Sequence, residues 1–342
     1  MRRLFAGLAA IVAASLAYAQ PAAACAGLIG PNGAVNLLRT TTFAGYHDGE
    51  EHYVTSFQFA GGSGQFGSLI PLPGIPTTVE RGGDWTLQRL IRETNPPRAR
   101  FDAVRGPAGP QGAAEVLQQV KIDALDVTVL RGGGSAVGQW ATEHGFRLPP
   151  DAPETLDFYA ARSPIFLAAV FDADAAKARG QRVGDGTPVH VTIPTANPWV
   201  PLRILALGKD PADRVEADLY LLTDEKPAIL PRPGAQGIEL DHSAPATASL
   251  LNDLRSDKGM GWVPTSAWLS KVRVDAAAIQ LNYDLAVDAN GRSPSRVAAG
   301  LERPFSPVTP AGGNDAAAVL AIAIVGLGSL LLLRTGARAV VR

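Results

Sequence analysis

The sequence has only one cysteine and modest shares of charged and aromatic side chains, at 18% and 6%. A single cysteine excludes an internal disulfide, so a folded domain of this chain must be stabilised by burial of apolar side chains. Lysine and arginine number 31 against 32 aspartates and glutamates, and no basic stripe is interleaved with aromatic residues. We therefore expect no nucleic acid among its partners.

Glycine and proline, by contrast, are abundant, with 36 and 27 residues. This composition favours short strands and many turns over arrays of long helices. We predict an α+β fold of mainly antiparallel sheets with a few short helices, occupying residues 25–287. A stretch rich in proline, glycine and arginine at residues 96–116 suggests a division into two subdomains there.

The N-terminus has the layout of a secretory signal peptide over residues 1–19: two arginines, an apolar run and then small residues. Cleavage after Ala19 fits the A-x-A pattern best, and cleavage as late as Ala24 also satisfies it. The second site precedes the only cysteine, Cys25, which makes that residue a candidate for lipidation. Lipoprotein signals normally carry a large residue where this chain has Ala22.

The C-terminal region contains an uncharged apolar run at residues 316–333, which is long enough to cross a bilayer as one helix. Three arginines follow it in the tail, residues 334–342, and the positive-inside rule therefore places that tail in the cytoplasm. The signal peptide predicts the same orientation. We expect a single-pass membrane protein with a large extracytoplasmic domain, joined to its span by a flexible tether at residues 288–314.

The exported region begins with clear β-strand signals. Two β-prone runs flank Asp48-Gly49 within residues 40–60, which predicts a hairpin. A strand at residues 66–70 is then ended by prolines, and Asp84 is placed to cap a helix over residues 85–94.

The second half of the exported region alternates helices with strands. Apolar spacing predicts three helices, at residues 135–144, 151–161 and 247–255. Strands are predicted at residues 127–130, 165–171, 189–193, 203–207, 217–222 and 279–287.

Several short motifs occur in a distinctive order along the chain. They are Ala24-Cys25-Ala26-Gly27, the I-P-L-P-x-x-P segment at 70–76, a helix ending in T-x-P at 94–96, the Trp140 to Phe146 helix end, and Pro201-Leu202-Arg203. In this order the chain resembles an uncharacterised bacterial family, domain of unknown function 2330, over residues 25–222. The resemblance implies export and this fold, and it brings no established activity. Relatives carry a second cysteine near the position of Gly30, so the cysteine pairing that the resemblance would imply is absent.

The tip of the predicted hairpin concentrates possible metal ligands. They are His47, Asp48, Glu50, Glu51 and His52. Imidazoles and carboxylates bind zinc and other divalent ions, and a turn can gather them. The alternative is an ordinary polar hairpin tip.

Two proline-flanked apolar residues, Ile75 and Trp199, are candidate binding residues. Proline ribbons lined by aromatic side chains can dock partners. They also occur as rigid segments that discourage association between sheets, and we prefer this second interpretation of the two segments.

Two further motifs have ordinary explanations. The glycine-rich segment at residues 131–135 lies between a strand and a helix, where an anion can bind, but it lacks the last glycine of the dinucleotide fingerprint and the G-K-[ST] of a P-loop. Asp241-His242-Ser243 has the residue types of a hydrolase triad, yet sequence neighbours cannot face one another in those roles. We assign no catalytic residue and expect no cofactor.

These observations favour a membrane-anchored extracytoplasmic protein that binds or scaffolds at the outer face of the bacterial membrane without catalysis. Its expected partners are the membrane, through residues 316–333, and an envelope protein or ligand. The alternative function is an extracytoplasmic metal-assisted hydrolase built on the hairpin-tip cluster.

Overall fold

The computed structural model describes residues 27–31, 39–58, 64–94, 116–182 and 186–304, together with backbone pairing at 22–23 and 33–34. The predicted signal peptide, Cys25 and the apolar run at 316–333 lie outside the described residues. Within the described ranges, no helix combines the length and the apolar character needed to cross a bilayer.

Strands dominate the described chain. In chain order they are β1 (Ala22–Ala23), β2 (Gly27–Gly30), β3 (Gly33–Ala34), β4 (Arg39–His47), β5 (Glu50–Gln58), β6 (Gln65–Leu72), β7 (Thr78–Arg81), β8 (Val116–Ile122), β9 (Leu125–Arg131), β10 (Ile165–Asp172), β11 (Gly186–Pro194), β12 (Trp199–Val200), β13 (Arg214–Thr223), β14 (Ala228–Leu230), β15 (Ile238–Pro245), β16 (Trp268–Ala277) and β17 (Leu285–Asp288). The α-helices are α1 (Thr86–Thr94), α2 (Gly134–Glu143), α3 (Ala152–Ala160), α4 (Ala173–Ala178) and α5 (Ala248–Ser256).

The strands form three sheets. The large sheet has the order β15-β16-β13-β4-β5-β11-β7, with β1 beside β4. The second sheet has the order β3-β2-β6-β10-β9-β8, and the small sheet has the order β12-β17-β14. Among the described pairings only β4 with β13 and β1 with β4 are parallel. The prediction of a sheet-rich α+β fold, mainly antiparallel with a few helices, is confirmed.

The two larger sheets pack face to face, and strand β10 of the second sheet is apolar on both of its faces. Ile165, Leu167 and Phe171 belong to the core between the sheets. Phe166 and Val170 point the other way, into a core shared with helices α2 and α3. Burial on both faces explains the near-continuous apolar run of this strand.

The outer face of the large sheet is covered by α1 and α5. Val54 and Tyr220 on the sheet share a core with Leu90 of α1 and Leu254 of α5. Burial of one such leucine contributes about 2 kcal/mol. The described chain is therefore layered as helix, sheet, sheet and helix, with the small sheet at one edge.

The β4–β5 hairpin follows from its turn. Asp48 and Gly49 have φ values of 51° and 83°, the left-handed conformation that a two-residue hairpin turn requires. The predicted hairpin is confirmed.

The proline-rich segment after β6 is a strand exit that begins later than predicted. Pro71 is still within β6, opposite Phe166 of β10. On the other side of β6, the described pairing with β2 reaches only Leu69. A proline is tolerated there because no ladder partner needs its missing N–H.

One predicted strand, at residues 203–207, was wrong, and another was too long. Residues Arg203–Ala206 form a 3₁₀ turn, because the carboxylate of Asp284 accepts the backbone N–H groups of Leu202 and Arg203. The predicted strand at 279–287 is shortened to β17, preceded by the 3₁₀ turn Ala278–Gln280.

The N-cap predicted for helix α1 was also wrong. Asp257, from a distant loop, accepts the backbone N–H of Thr86 at 2.8 Å and its hydroxyl at 2.7 Å. Asp84 pairs instead with Arg81.

One compact unit of the chain extends to Arg303. Ala298 and Ala299 are buried, and Asp284 donates its backbone N–H to the carbonyl of Ala299 at 2.9 Å. The part of the predicted tether at 288–303 is therefore packed on the domain, while residues 305–314 lie outside the described chain.

Candidate functional site

The hairpin-tip residues do not converge on a common point. The Nδ1 atom of His47 lies 2.6 Å from an oxygen of Asp224, and the Asp48 side chain is 88% exposed in the turn. Glu51 and His52 are consecutive on β5, so their side chains leave opposite faces of the sheet. Within the described ranges, no three His, Cys, Asp or Glu side chains are placed to hold a metal ion.

Glu51 points into the interior between the sheets, where it is fully buried. Neither carboxyl oxygen has a hydrogen-bond partner among the described residues. Burial raises the pKa of Glu51 to about 8. Glu51 is therefore a neutral, protonated side chain at neutral pH.

His52 leaves the other face of β5 and meets His190 of β11. Nδ1 of His52 lies 3.1 Å from Nε2 of His190, and Nδ1 of His190 lies 3.2 Å from Oε1 of Glu80. The Trp262 ring stacks on the His52 ring, with the ring centroids 3.8 Å apart and an interplanar angle of 2°. The three titratable groups form a hydrogen-bonded chain from the half-exposed Glu80 to the buried His52.

Both histidines are held neutral. Burial, followed by the neighbouring charges of His190 and His47, lowers the pKa of His52 to about 3. Burial also lowers the pKa of His190, although Glu80 opposes the shift. The sequence carried no signal for this contact, because its partners are 138 residues apart. The two histidines of this hydrogen-bonded chain are buried, so it is part of the protein interior rather than an open site.

The side chain of the candidate binding residue Trp199 lies in the interior of the described chain. Trp199 is only 3% exposed and stacks on Tyr159 at a ring distance of 5.7 Å. The guanidinium of Arg162 lies 4.9 Å from its ring centroid.

Asp284 fixes the environment of Trp199. Its buried carboxylate accepts hydrogen bonds from the Tyr159 hydroxyl at 2.9 Å, the Leu202 backbone at 2.7 Å and Arg162 at 2.5 Å. Burial and the Asp284 charge hold the pKa of Tyr159 well above its ordinary value. Trp199 therefore helps to enclose a buried ion pair.

Ile75 is exposed, at 48%, on the crossover between β6 and β7. A Cβ on the preceding Gly74 would lie 3.2 Å from the carbonyl oxygen of Pro194, and Thr77 donates its N–H to the carbonyl of Thr192. The crossover therefore contacts β11 at Gly74 and at Thr77, as expected of a rigid connection.

The glycine-rich segment and the apparent triad have structural partners. The backbone N–H of Gly134 donates to Asp157 at 3.3 Å, so a carboxylate already faces the start of α2. Asp241 pairs with Lys271, and the Ser243 hydroxyl accepts the indole N–H of Trp268 at 2.9 Å.

A cleft of about 530 Å³ lies between the small sheet and the β15 edge of the large sheet. Its volume is typical of ligand pockets. Strand β14 and the loop after β17 form one wall, and β15 with β16 forms the other. We call it the basic cleft, because four cationic side chains line it: Lys226, Arg232, Arg292 and Arg296.

The charge of the basic cleft is local. The whole chain has a formal net charge of −1, yet no aspartate or glutamate of the described chain lines this cavity. Among the described residues, Arg296 pairs with Glu302, and the charge of Arg292 attracts the nearby carboxylate of Asp288, which lies outside the lining. A concave wall of one charge sign focuses a positive potential on the cavity and attracts anions.

Local turns position these cations. The carboxylate of Asp288 accepts the backbone N–H groups of Asn290 at 2.9 Å and Ser293 at 3.0 Å, which holds the loop carrying Arg292. Gly291, with φ of 69°, lies so close to Lys226 that a Cβ there would approach its carbonyl oxygen to 2.7 Å. The site has no signal in the sequence, because its walls come from segments without a motif and from part of the predicted tether.

A smaller cavity of about 210 Å³ lies on the second sheet, beside His144. Its lining carries both charge signs, with Lys121 beside Asp126 and Asp172. Opposite charges offset one another there, so the basic cleft is the better candidate site.

Among solved structures, the chain is weakly similar to baculovirus P35. The crystal structure of that protein shares 10% identity, with 74% of this chain and 96% of the other covered, at a TM-score of 0.38. A mutated P35 after caspase cleavage gives 9% identity, coverage of 73% and 98%, and a TM-score of 0.38. Likenesses at this level carry no argument about fold or function.

No curated protein matches the chain. A family model matches residues 19–233, and its description is an uncharacterized protein conserved in bacteria, DUF2330. Since this match spans more than half of the chain, the protein belongs to the DUF2330 family.

Proposed function

We propose that this protein is a non-catalytic binding protein that holds a negatively charged ligand in the basic cleft, at the outer face of the bacterial membrane. The observation that carries the proposal is the set of four cationic side chains around a cavity of about 530 Å³ without acidic lining residues in the described chain. Guanidinium groups present paired donors that match carboxylate and phosphate oxygens.

The residue types of the cleft favour binding over hydrolysis. Its described lining contains no histidine, aspartate or glutamate, the side chains that most often act as general bases. Of its three serines, Ser243, Ser270 and Ser293, the first already accepts the Trp268 indole N–H. The alternative of a metal-assisted hydrolase has no supporting cluster among the described side chains.

The cellular placement rests on the two ends of the sequence. The signal peptide at residues 1–19 and the apolar run at 316–333 support export of the domain and anchoring by one helix. We propose the membrane and an anionic envelope component as partners, with no role for nucleic acid. Protease treatment of intact cells tests the orientation, because protection of the large domain would contradict it.

Ligand binding is tested on the full-length protein in nanodiscs of phosphatidylcholine. Calorimetric titration with inorganic phosphate should show saturable binding, and an Arg232→Gln and Arg292→Gln double variant should weaken it by about tenfold or more. Arg131→Gln is the matched control, since Arg131 is exposed at the end of β9, outside the cleft. Unchanged affinity in the double variant would exclude the cleft as the site.

A further inference from the structure

We infer that the ligand of the basic cleft is an amphiphilic anion, with a phosphate or carboxylate headgroup joined to an apolar part. This inference rests on the proposed function and adds the chemical class of the ligand. Its starting point is Leu240, an apolar residue of β15 that lines the cleft and is 41% exposed.

The position of Leu240 on its strand makes this exposure unusual. Leu240 is paired with Val272, and strand alternation turns it to the same side as Ile238. Val272 and Ile238 are both fully buried in the core between the sheets. Leu240 therefore points inward but is left uncovered, because the cleft opens directly above it.

Other apolar residues extend this uncovered surface. Ile229, Leu230 and Pro233 line the same cavity, and Ile229 also packs against the main core. A small inorganic anion would leave this surface in water. A ligand with an apolar part removes it from water, which favours binding in proportion to the area covered.

Two of the four cations, Lys226 and Arg292, lie at one end of the cleft, away from Leu240. Strands β14 and β17 are antiparallel, with Ala228 opposite Asp288, so Lys226 and Arg292 lie beyond the same end of this strand pair. Lys226 lies 5.8 Å from the Trp268 ring, which places it near the Ser243 end of β15. Leu240 and Pro233 lie towards the opposite end, where the chain enters β15.

This arrangement orients the ligand. The headgroup is held by Lys226 and Arg292, and the apolar part lies over Leu240. An amphiphilic anion of this kind can come from a bilayer, as a lipid headgroup with part of its chain, or from a free alkyl phosphate. The experiment therefore separates the two sources.

Full-length protein in phosphatidylcholine nanodiscs is titrated with inorganic phosphate and with octyl phosphate, and titrations of empty nanodiscs are subtracted. Octyl phosphate should bind about tenfold tighter than inorganic phosphate or better, since its chain covers Leu240. Leu240→Asn should reduce that ratio to about threefold or less and leave the affinity for inorganic phosphate unchanged. A Lys226→Gln and Arg292→Gln double variant should weaken both ligands equally.

Ile279→Asn is the matched control, because Ile279 is 68% exposed and lies outside the cleft lining. It should leave the ratio unchanged, and thermal unfolding of each variant checks that it is folded. Equal affinities for the two phosphates would overturn the amphiphile inference while leaving the proposed function intact. Absence of binding by either phosphate would overturn both.

A competition experiment distinguishes a lipid from a free amphiphile as the ligand. Vesicles of phosphatidylglycerol that displace octyl phosphate, where phosphatidylcholine vesicles do not, would identify a lipid headgroup. Octyl phosphate that remains bound would identify a free amphiphile.

Discussion

Nδ1 of His52 lies 3.1 Å from Nε2 of His190, and the two rings stack inside the protein. Because Nδ1 of His190 faces the carboxylate of Glu80, its proton belongs on that nitrogen, and Nε2 of His190 then accepts the Nδ1–H of His52. This assignment satisfies every facing nitrogen with both rings neutral. Besides Glu80, the pair is faced by Thr192, the uncharged Trp262 and, at longer range, His47.

The histidine pair should destabilise the protein in acid. The pKa of His52 is about 3 in the folded chain and near 6.5 when unfolded, so the unfolded chain binds the proton first as the pH falls below 6.5. The free energy of unfolding should therefore decrease from pH 6.5 towards pH 3, by up to about 1.4 kcal/mol per pH unit from this residue. Denaturant unfolding across this range measures the slope.

His52→Gln should reduce that slope, whereas His242→Gln on the exposed edge strand β15 should not. Equal slopes in the His52 variant and the unmodified protein would contradict the assignment of a neutral buried pair.

Glu51 should act in the opposite direction. Its pKa is about 8 in the folded chain against an ordinary 4.5. As the pH rises above 4.5, the unfolded chain therefore releases this proton first, which favours unfolding. The contribution of Glu51 to the free energy of unfolding should fall as the pH rises from about 4.5 to about 8, by at most about 1.4 kcal/mol per pH unit. Between pH 4.5 and 6.5 the histidine contribution has the opposite sign, so the decrease should be seen between pH 6.5 and pH 8. Glu51→Gln should flatten this component. The neighbouring Glu50→Gln is the control. A free energy of unfolding that stays flat between pH 6.5 and pH 8 in the unmodified protein would refute the prediction.

Asp284 should be among the residues least tolerant of substitution. Asp284→Ala leaves the buried Arg162 without its partner at 2.5 Å, which should cost about 3–5 kcal/mol of unfolding free energy. Asp275→Ala breaks a surface pair with Arg214, whose side chain is 66% exposed, and should cost less than about 1 kcal/mol.

A double variant, Asp284→Asn with Arg162→Met, separates charge from shape. It should be less destabilised than Asp284→Ala, because neither partner is then a lone buried charge. A double variant as unstable as the single one would show that the hydrogen bonds, rather than the charge, dominate.

Gly45→Ala should disturb the cover of the histidine pair. A Cβ at this position would lie 2.1 Å from Cη2 of Trp262, the ring that stacks on His52. The resulting shift should cost about 1–3 kcal/mol and change the tryptophan fluorescence. Gly133→Ala is the control, since a Cβ there meets nothing within 4 Å. Equal stability of the two variants would contradict this packing.

The local parts of the fold could be predicted from the sequence. The β4–β5 hairpin follows from a turn dipeptide between β-prone runs, and strand β10 follows from its apolar run. The 3₁₀ turn at Arg203–Ala206 could not be predicted, because it depends on Asp284, 82 residues from the Leu202 N–H that it accepts.

The candidate site shows the same division. The cluster of possible metal ligands at the hairpin tip was visible in the sequence. Strand alternation, however, sends Glu51 and His52 to opposite faces of the sheet, so these side chains do not converge. The basic cleft was not visible, because its arginines come from two segments, one after β14 and one after β17, that only the pairing of these strands and the packing beside β15 bring together.

Because β4 pairs in parallel with β13, the large sheet can form only after both distant segments have been synthesised. Residues near 40 find this neighbour only when residues 214–223 are available, and the far edge of β13 is paired by β16, at Trp268–Ala277. The end of the family match at residue 233 thus falls inside the sheet. A chain shortened to that boundary would leave β13, buried along most of its length, as an exposed edge that invites aggregation. Native folding therefore has a high contact order, and the strands that complete the sheet leave the ribosome long after β4.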